Sequence, residues 1–308
     1  MDPLSAIEDN FAVILAMGFV FGLAAPSVFS QFNPYILWFL IGVMFFTILK
    51  IDLRELARTA ANPAYVLYLS ILILGGVPVL CYGIASTLFP AVAAGTLIAC
   101  ALPAAVSSTS ITLLLKGNPH IALLVTIITA LVVPFTLPAL VKALIGVETA
   151  ASYGEMFTLL VKVIVVPFAL ALAAKRVAPS AIERTKRAYP TLNVFLLFFV
   201  IAGPVGQYAD IILGDLGKTG EVVAFFVGIA VLRHLIGWYA SFWRPFPDRI
   251  ASTTVVAYCN IGLGIGFAYD FFSPEIVVVV VLYEVVWNVM PVPFQHIVKS
   301  LSLKGKYS

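Results

Sequence analysis

Long apolar runs joined by short polar connections fill almost the whole chain. Ten of them, at 11–29, 35–50, 64–88, 91–115, 121–144, 156–174, 192–213, 222–243, 251–272 and 276–298, come close to the roughly 20 residues that a helix needs to cross a bilayer. No window alternates apolar and polar residues like an outer-membrane barrel strand, so helices are the spanning structure that remains. The predicted fold is an all-α membrane protein of ten transmembrane helices. Two runs are interrupted by small and polar residues, at 100–120 in the first half and 255–275 in the second. A break in a membrane helix frees backbone groups that lipid cannot hydrogen-bond, so they must line a cavity or bind an ion. Matching breaks in two halves mark a substrate site between inverted repeats near the midplane, which is the pattern of a carrier.

The register of the halves is consistent. Asn118-Pro119-His120-Ile121 aligns with Ser273-Pro274-Glu275-Ile276, and Pro138 with Pro293, at one offset of about half the chain. Charge orients the helices. With the N-terminus inside, the inside segments hold Lys50, Arg54, Arg58, Lys116, the basic run 175–187, Arg244, Arg249 and the lysines after 298, whereas the outside segments hold only Lys142 and Lys218. Both termini are therefore predicted to be cytoplasmic. Five helices per half is an odd number, so the second half enters the membrane inverted. The expected organisation is one repeat over 1–150 and an inverted repeat over 151–308, in a single integral unit of the cell membrane.

Composition agrees with this reading and narrows it. Hydrophobic residues make up 62% and charged residues 11%, with a mean hydropathy of +1.07, which excludes an ordinary soluble domain. The acidic start MDPLSAIEDN lacks the basic region and cleavage site of a secretory signal, so the first span is expected to be retained. Cys81, Cys100 and Cys259 all lie in apolar stretches, which argues against a disulfide framework. The net charge of +3 sits at helix ends and points to no nucleic acid. The connection 50–63 has the spacing of a short amphipathic interfacial helix, and 175–190 reads as a basic linker between the halves.

Candidate chemistry gathers at the breaks. Pro103 is followed by Ser107, Ser108, Thr109, Ser110 and Thr112, whose hydroxyls can ligate sodium or donate to an anion beside a restarting helix N-terminus. The competing role for each is a bond to its own helix four residues back. In the second break Asn260 precedes Gly262, Gly264 and Gly266; the amide needs partners, while the glycines permit close packing. Cys100 and Cys259 would suit a soft ligand such as a metalloid, or simply pack. Glu284, with Asn288 one turn on, and Arg233, beside His234, are intramembrane polar groups. Glu284 either pairs with Arg233 or serves as a coupling group. Lys162 and Asp270 lie nearer span ends, where they can snorkel. The chain has no H-E-x-x-H, no aspartate-rich pair and no Walker loop, so no enzyme is expected.

Three stretches resemble the bile acid:sodium symporter family, within the bile/arsenite/riboflavin transporter superfamily. They are Pro103-AAVSSTSITLLLKG-Asn118 in the fourth helix, Val163-IVVPFALALAAKR-Val177 in the sixth, and Asn260-Ile-Gly-Leu in the ninth. The resemblance implies a panel domain and a core domain, with helices 4 and 9 crossing at their breaks, and alternating access. It implies a sodium site at Ser108, Thr109 and Thr126, and no other cofactor. Three positions depart from the family pattern: Thr109 replaces an asparagine, Cys259 a glutamine, and Val255 the carboxylate expected five residues before Asn260. Loss of the negative ligand weakens a sodium site, because an ion leaving water needs charge or many oxygens.

The expected function is secondary transport of a small organic anion, with sodium as the coupling ion. Pro103, Ser108, Thr109, Thr112, Thr126, Asn260 and Gly262 would line the site, with Glu284, Arg233 and Asn288 as the coupling or ion-pair group. The alternatives are a proton-coupled or uncoupled carrier, a metalloid efflux carrier and, from another class, an intramembrane enzyme or receptor-like binding protein. Expected partners are the anion and the bilayer; substrate identity and oligomeric state stay open.

Overall fold

The computed structural model describes residues 11–50, 62–146 and 151–303. The amphipathic connection expected around 51–61 lies outside the described residues. The main helices are α1 (Phe11–Ala24), α2 (Ile36–Lys50), α3 (Pro63–Leu88), α4 (Ala93–Cys100), α5 (Val106–Leu114), α6 (Pro119–Leu144) and α7 (Tyr153–Val177). They continue with α8 (Tyr189–Gln207), α9 (Leu216–Tyr239), α10 (Phe246–Ala257), α11 (Ile261–Phe271), α12 (Pro274–Val289) and α13 (Pro291–Leu303). Among the described residues there is no strand; the β-type pairing seen is the bridge between Ala104 and Cys259.

Local sequence explains where helices begin. Asn62 and Asn118 each cap a helix through the side-chain oxygen, and a proline follows at the first helical position, where no N–H is needed. Ser152 and Glu155 form a reciprocal capping box at the start of α7, and Asp215 caps α9. Two long helices contain a wide π-type turn, at Leu72–Gly76 in α3 and Val161–Val165 in α7. Each ends just before a Val-Pro pair, Val77-Pro78 and Val166-Pro167. A proline ring clashes with the carbonyl four residues back, and the wider turn makes room for it.

Seven helices among the described residues are long and apolar enough to cross a membrane: Pro26–Lys50, Pro63–Leu88, Pro119–Leu144, Tyr153–Val177, Pro179–Gln207, Leu216–Tyr239 and Pro274–Ser302. Three of the expected spans fall outside that set, where the apolar helices are Val13–Ala24, Pro90–Cys100 and Ile261–Phe271. For the spans expected at 91–115 and 251–272 the reason is physical: each is split into two half-helices by an extended segment.

The helices form two packed groups. α8 lies along α1 and α2, and α2 also packs on α7. Asn193 of α8 donates to the Thr47 hydroxyl of α2 at 2.9 Å within this group. The second group joins α9 to α10 and α12, α3 to α4, α5 to α6, and both α5 and α6 to α10. Large apolar side chains such as Trp38, Ile71, Leu113 and Leu235 point outward and are exposed. A water-facing surface of that kind would be an association hazard, whereas lipid tails solvate it.

Candidate functional site at the crossing of two broken helices

The two breaks hydrogen-bond to each other. Residues 103–105 and 258–260 leave the helical path and pair antiparallel through a bridge between Ala104 and Cys259. Ala105 N–H donates to Tyr258 C=O at 2.9 Å, and Asn260 N–H donates to Pro103 C=O at 2.9 Å. Pro103 has no N–H to leave unpaired. The backbone that each break frees is thus satisfied by the other, as a low-dielectric surrounding demands. Ala104 N–H is taken by the Thr129 hydroxyl of α6 at 3.2 Å. Beyond the second break the Asn260 side chain caps α11, accepting from Leu263 N–H at 3.3 Å.

Hydroxyls collect on one side of the crossing. Ser108 of α5 and Thr126 of α6 both donate toward the carbonyl of Ala105, Thr126 at 3.4 Å, while Thr126 also bonds Ala122 C=O at 2.8 Å. The Thr109 hydroxyl is buried without a partner. Thr112 bonds Ser108 C=O at 2.7 Å and shares a second hydrogen bond with the Thr254 hydroxyl of α10. Ser108, Thr112 and Thr126 are therefore brought together on α5 and α6, with Thr109 next to Ser108 in α5 and Pro103 in the break that precedes it. Gly262 faces elsewhere: a Cβ on it would lie 3.0 Å from Leu197 of α8, so it packs between the two helix groups. Val255 is fully buried and aliphatic.

Arg233 and Glu284 are not paired with each other. Arg233 is fully buried and donates through Nε to Val256 C=O at 2.8 Å and through Nη1 to Cys259 Sγ at 3.4 Å and Tyr283 OH at 3.5 Å. Glu284, 7% exposed, accepts from Asn288 Nδ2 at 3.1 Å one turn along α12. His234 reaches Tyr258 OH at 2.9 Å, tying α9 to the residue that opens the second break.

Sequence reasoning missed Thr129, which supports the broken backbone directly. Its three-residue spacing from Thr126 places both on one helix face and was the available signal. Tyr283 was missed too, and its spacing gave no hint. The three cysteines are buried with unlinked thiols, and among the described residues no three His, Cys, Asp or Glu side chains are grouped to hold a metal ion. The donors of the hydroxyl cluster itself are hydroxyl and carbonyl oxygens, which suit a hard cation rather than a soft one.

Away from the crossing, two small hydrogen-bond groups, centred on Asp248 and Gln207, join elements. Asn118 Nδ2 donates to Asp248 Oδ1 at 2.9 Å, and Arg244 donates to Asp248 Oδ2 from Nε at 3.0 Å and Nη2 at 2.6 Å. Tyr269 OH of α11 donates to Gln207 Oε1 of α8 at 3.0 Å, and Gln207 also accepts from Asn33.

An all-helical, multi-pass membrane protein that carries two broken helices with mutually paired backbones and a buried hydroxyl cluster is of the transporter class. Residues 37–215 match the Sodium Bile acid symporter family, and the chain belongs to that family, whose members are transporters and not enzymes. The chain is 25% identical over 277 residues to the "Uncharacterized sodium-dependent transporter YocS" of Bacillus subtilis (strain 168), covering 86% of this chain and 83% of that protein. It is 23% identical over 279 residues to the "Probable sodium/metabolite cotransporter BASS2, chloroplastic" of Oryza sativa subsp. japonica. That match covers 87% of this chain and 65% of the rice protein.

Proposed function

We propose that the chain is a secondary active transporter that carries a small organic anion across the cell membrane by alternating access, with sodium as the coupling ion. In this reading it has ten spans in two inverted repeats, 1–150 and 151–308, with both termini cytoplasmic. The group of α1, α2, α7 and α8 is the panel, and the remaining helices are the core that holds the crossing. Sodium takes oxygens from Ser108, Thr109 and Thr126, and the anion is met by Pro103, Thr112 and Asn260.

One observation carries the sodium assignment: Ser108 and Thr126 converge on the Ala105 carbonyl beside a Thr109 hydroxyl that is buried and unpartnered. A buried hydroxyl without a partner is costly in a protein core, and an ion supplies the missing interaction. The names of the Bacillus and rice relatives support the same ion. Val255 in place of a carboxylate makes the ligand set neutral, so binding is weak and saturates only at high sodium.

The test is uptake of a panel of radiolabelled organic anions into proteoliposomes under imposed sodium, potassium or proton gradients. Sodium-driven accumulation that Thr109→Val lowers by about tenfold, the equivalent of about 1.4 kcal/mol, supports the site. Equal accumulation with sodium and potassium rules out sodium coupling, and wild-type uptake by Asn260→Ala rules out the anion assignment. Glu284 favours a second reading, because it is buried beside Asn288 with no cation partner among the described residues. Accumulation driven by protons alone and lost in Glu284→Gln would replace sodium by this route.

A further inference from the structure

The last carbonyls of a helix have no donors of their own, and they form the negative end of its dipole. In α10 this end lies inside the protein, because the chain turns extended at Tyr258 and Asn260 N–H goes across to Pro103. Val256 C=O is one of the carbonyls left over. Such an edge, out of contact with water, draws a cation. Here the cation comes from the chain itself, since Arg233 Nε is 2.8 Å from Val256 C=O.

The approach is built in. One turn beyond Arg233, Gly237 sits so close to α10 that a Cβ on it would lie 2.6 Å from the Thr253 Cα. This contact brings α9 onto the end of α10 and carries the guanidinium to the break. Among the described residues no carboxylate is bonded to the guanidinium. Val255 is aliphatic and Glu284 is bonded to Asn288, so the groups facing the guanidinium are the thiols of Cys259, Cys100 and Cys81, the Tyr283 phenol and the Val256 carbonyl. Nη2 is buried without any partner. An ordinary buried ion pair would have two charges that cancel and every donor used; this guanidinium has neither.

We propose that Arg233 is a tethered cation: it fills the carbonyl edge of the second break in the place of a cation from solution, so that this half of the crossing is permanently positive. The loss of the family carboxylate at Val255 and the presence of a buried guanidinium are then one arrangement. A dissolved cation needs a negative ligand to leave water, whereas a covalently held one has already been desolvated during folding. A fixed positive charge also attracts an anionic substrate at any sodium concentration. Arg233 is a positioning residue here, holding the charge and the end of α10 while the hydroxyl cluster remains the ion site.

The inference rests on the crossing being the ion and anion site, and its test separates the two. Binding of radioactive sodium to the purified full-length chain, without substrate, is counted by scintillation proximity. Arg233→Gln vacates the carbonyl edge and binds about one sodium more than wild type, at whatever number wild type shows. Arg233→Lys substitutes a group that can lose its proton for one that cannot. Its count equals wild type at low pH and rises by about one once the pH is raised far enough to neutralise the buried amine, while wild type stays flat. If Arg233→Gln does not survive extraction, the lysine variant decides alone. An unchanged count in Arg233→Gln, or a lysine variant whose count does not rise with pH, overturns the proposal. A wild type that binds no sodium overturns the hydroxyl site instead and leaves the increment readable.

Discussion

Asn118 and Asp248 bond side chain to side chain at 2.9 Å, so the turn between α5 and α6 is tied to the first turn of α10. The tie is reinforced by the backbone, where Asn118 N–H donates to Pro247 C=O at 2.9 Å. Closer to the crossing, Thr112 and Thr254 join the same two half-helices. α5 and α10 are therefore held together along their length, and the crossing has a braced lower half.

Asp248→Ala removes the acceptor of both Asn118 and Arg244 from a side chain only 8% exposed. The expected loss is about 2–4 kcal/mol, within the range for breaking a charge-assisted pair at a buried site. Asp248→Asn keeps an oxygen for Asn118 and should lose about half as much. Thermal unfolding in detergent measures both, and an alanine variant as stable as wild type would show that the brace contributes nothing.

Thr129→Val leaves Ala104 N–H without its acceptor inside the crossing. The cost of such a buried donor is about 1–3 kcal/mol. Thr129→Ser retains the oxygen and should behave as wild type in both unfolding and uptake. Equal behaviour of the valine and serine variants would mean that the hydroxyl is not needed to hold the break.

Gly237→Ala places a methyl group 2.6 Å from a backbone carbon of Thr253, which cannot move aside as a side chain would. Overpacking at such a contact costs about 1–3 kcal/mol. Gly228, nine residues earlier on α9, has open space around its Cβ position, so Gly228→Ala is the matched control and should not destabilise. Comparison of the two unfolding temperatures checks the close approach of α9 to α10.

Tyr269→Phe removes the donor to Gln207 that links α11 in one helix group to α8 in the other. Its stability cost should be small, about 0.5–1 kcal/mol, but the turnover of substrate exchange should change by about two- to fivefold, the equivalent of about 0.4–1 kcal/mol in a barrier. A variant with unaltered turnover would assign the contact to packing alone.

Much of the architecture was legible because lipid imposes strict terms. Apolar runs of spanning length and the clusters after Pro103 and around Asn260 all follow from local chemistry. What could not be read is what depends on distant partners. Ala104 and Cys259 are far apart in sequence, and nothing in either neighbourhood announces their pairing. Arg233 reads as a partner for Glu284, and only packing sends it to the carbonyl at Val256 instead. Gly262 reads like its neighbours Gly264 and Gly266, yet its contact is Leu197 of the other helix group, whereas Gly264 is backed by Leu102 beside the first break. Thr129 was overlooked because a threonine in a long apolar helix can satisfy itself on its own backbone, and it does also bond Val125 C=O at 2.7 Å.

The mutual pairing of the breaks has a consequence for how the chain is made. Residues 101–105 leave the ribosome long before 258–260 exist, and at roughly 5–20 residues per second the wait is roughly ten to thirty seconds. Throughout that interval the first break lacks the strand-like partner that satisfies Pro103 and Ala105 in the finished protein. The nascent first half therefore cannot settle into lipid at that depth and needs water, the insertion machinery or a chaperone beside it until Tyr258 and Asn260 arrive. Biogenesis therefore waits on the meeting of these two short segments.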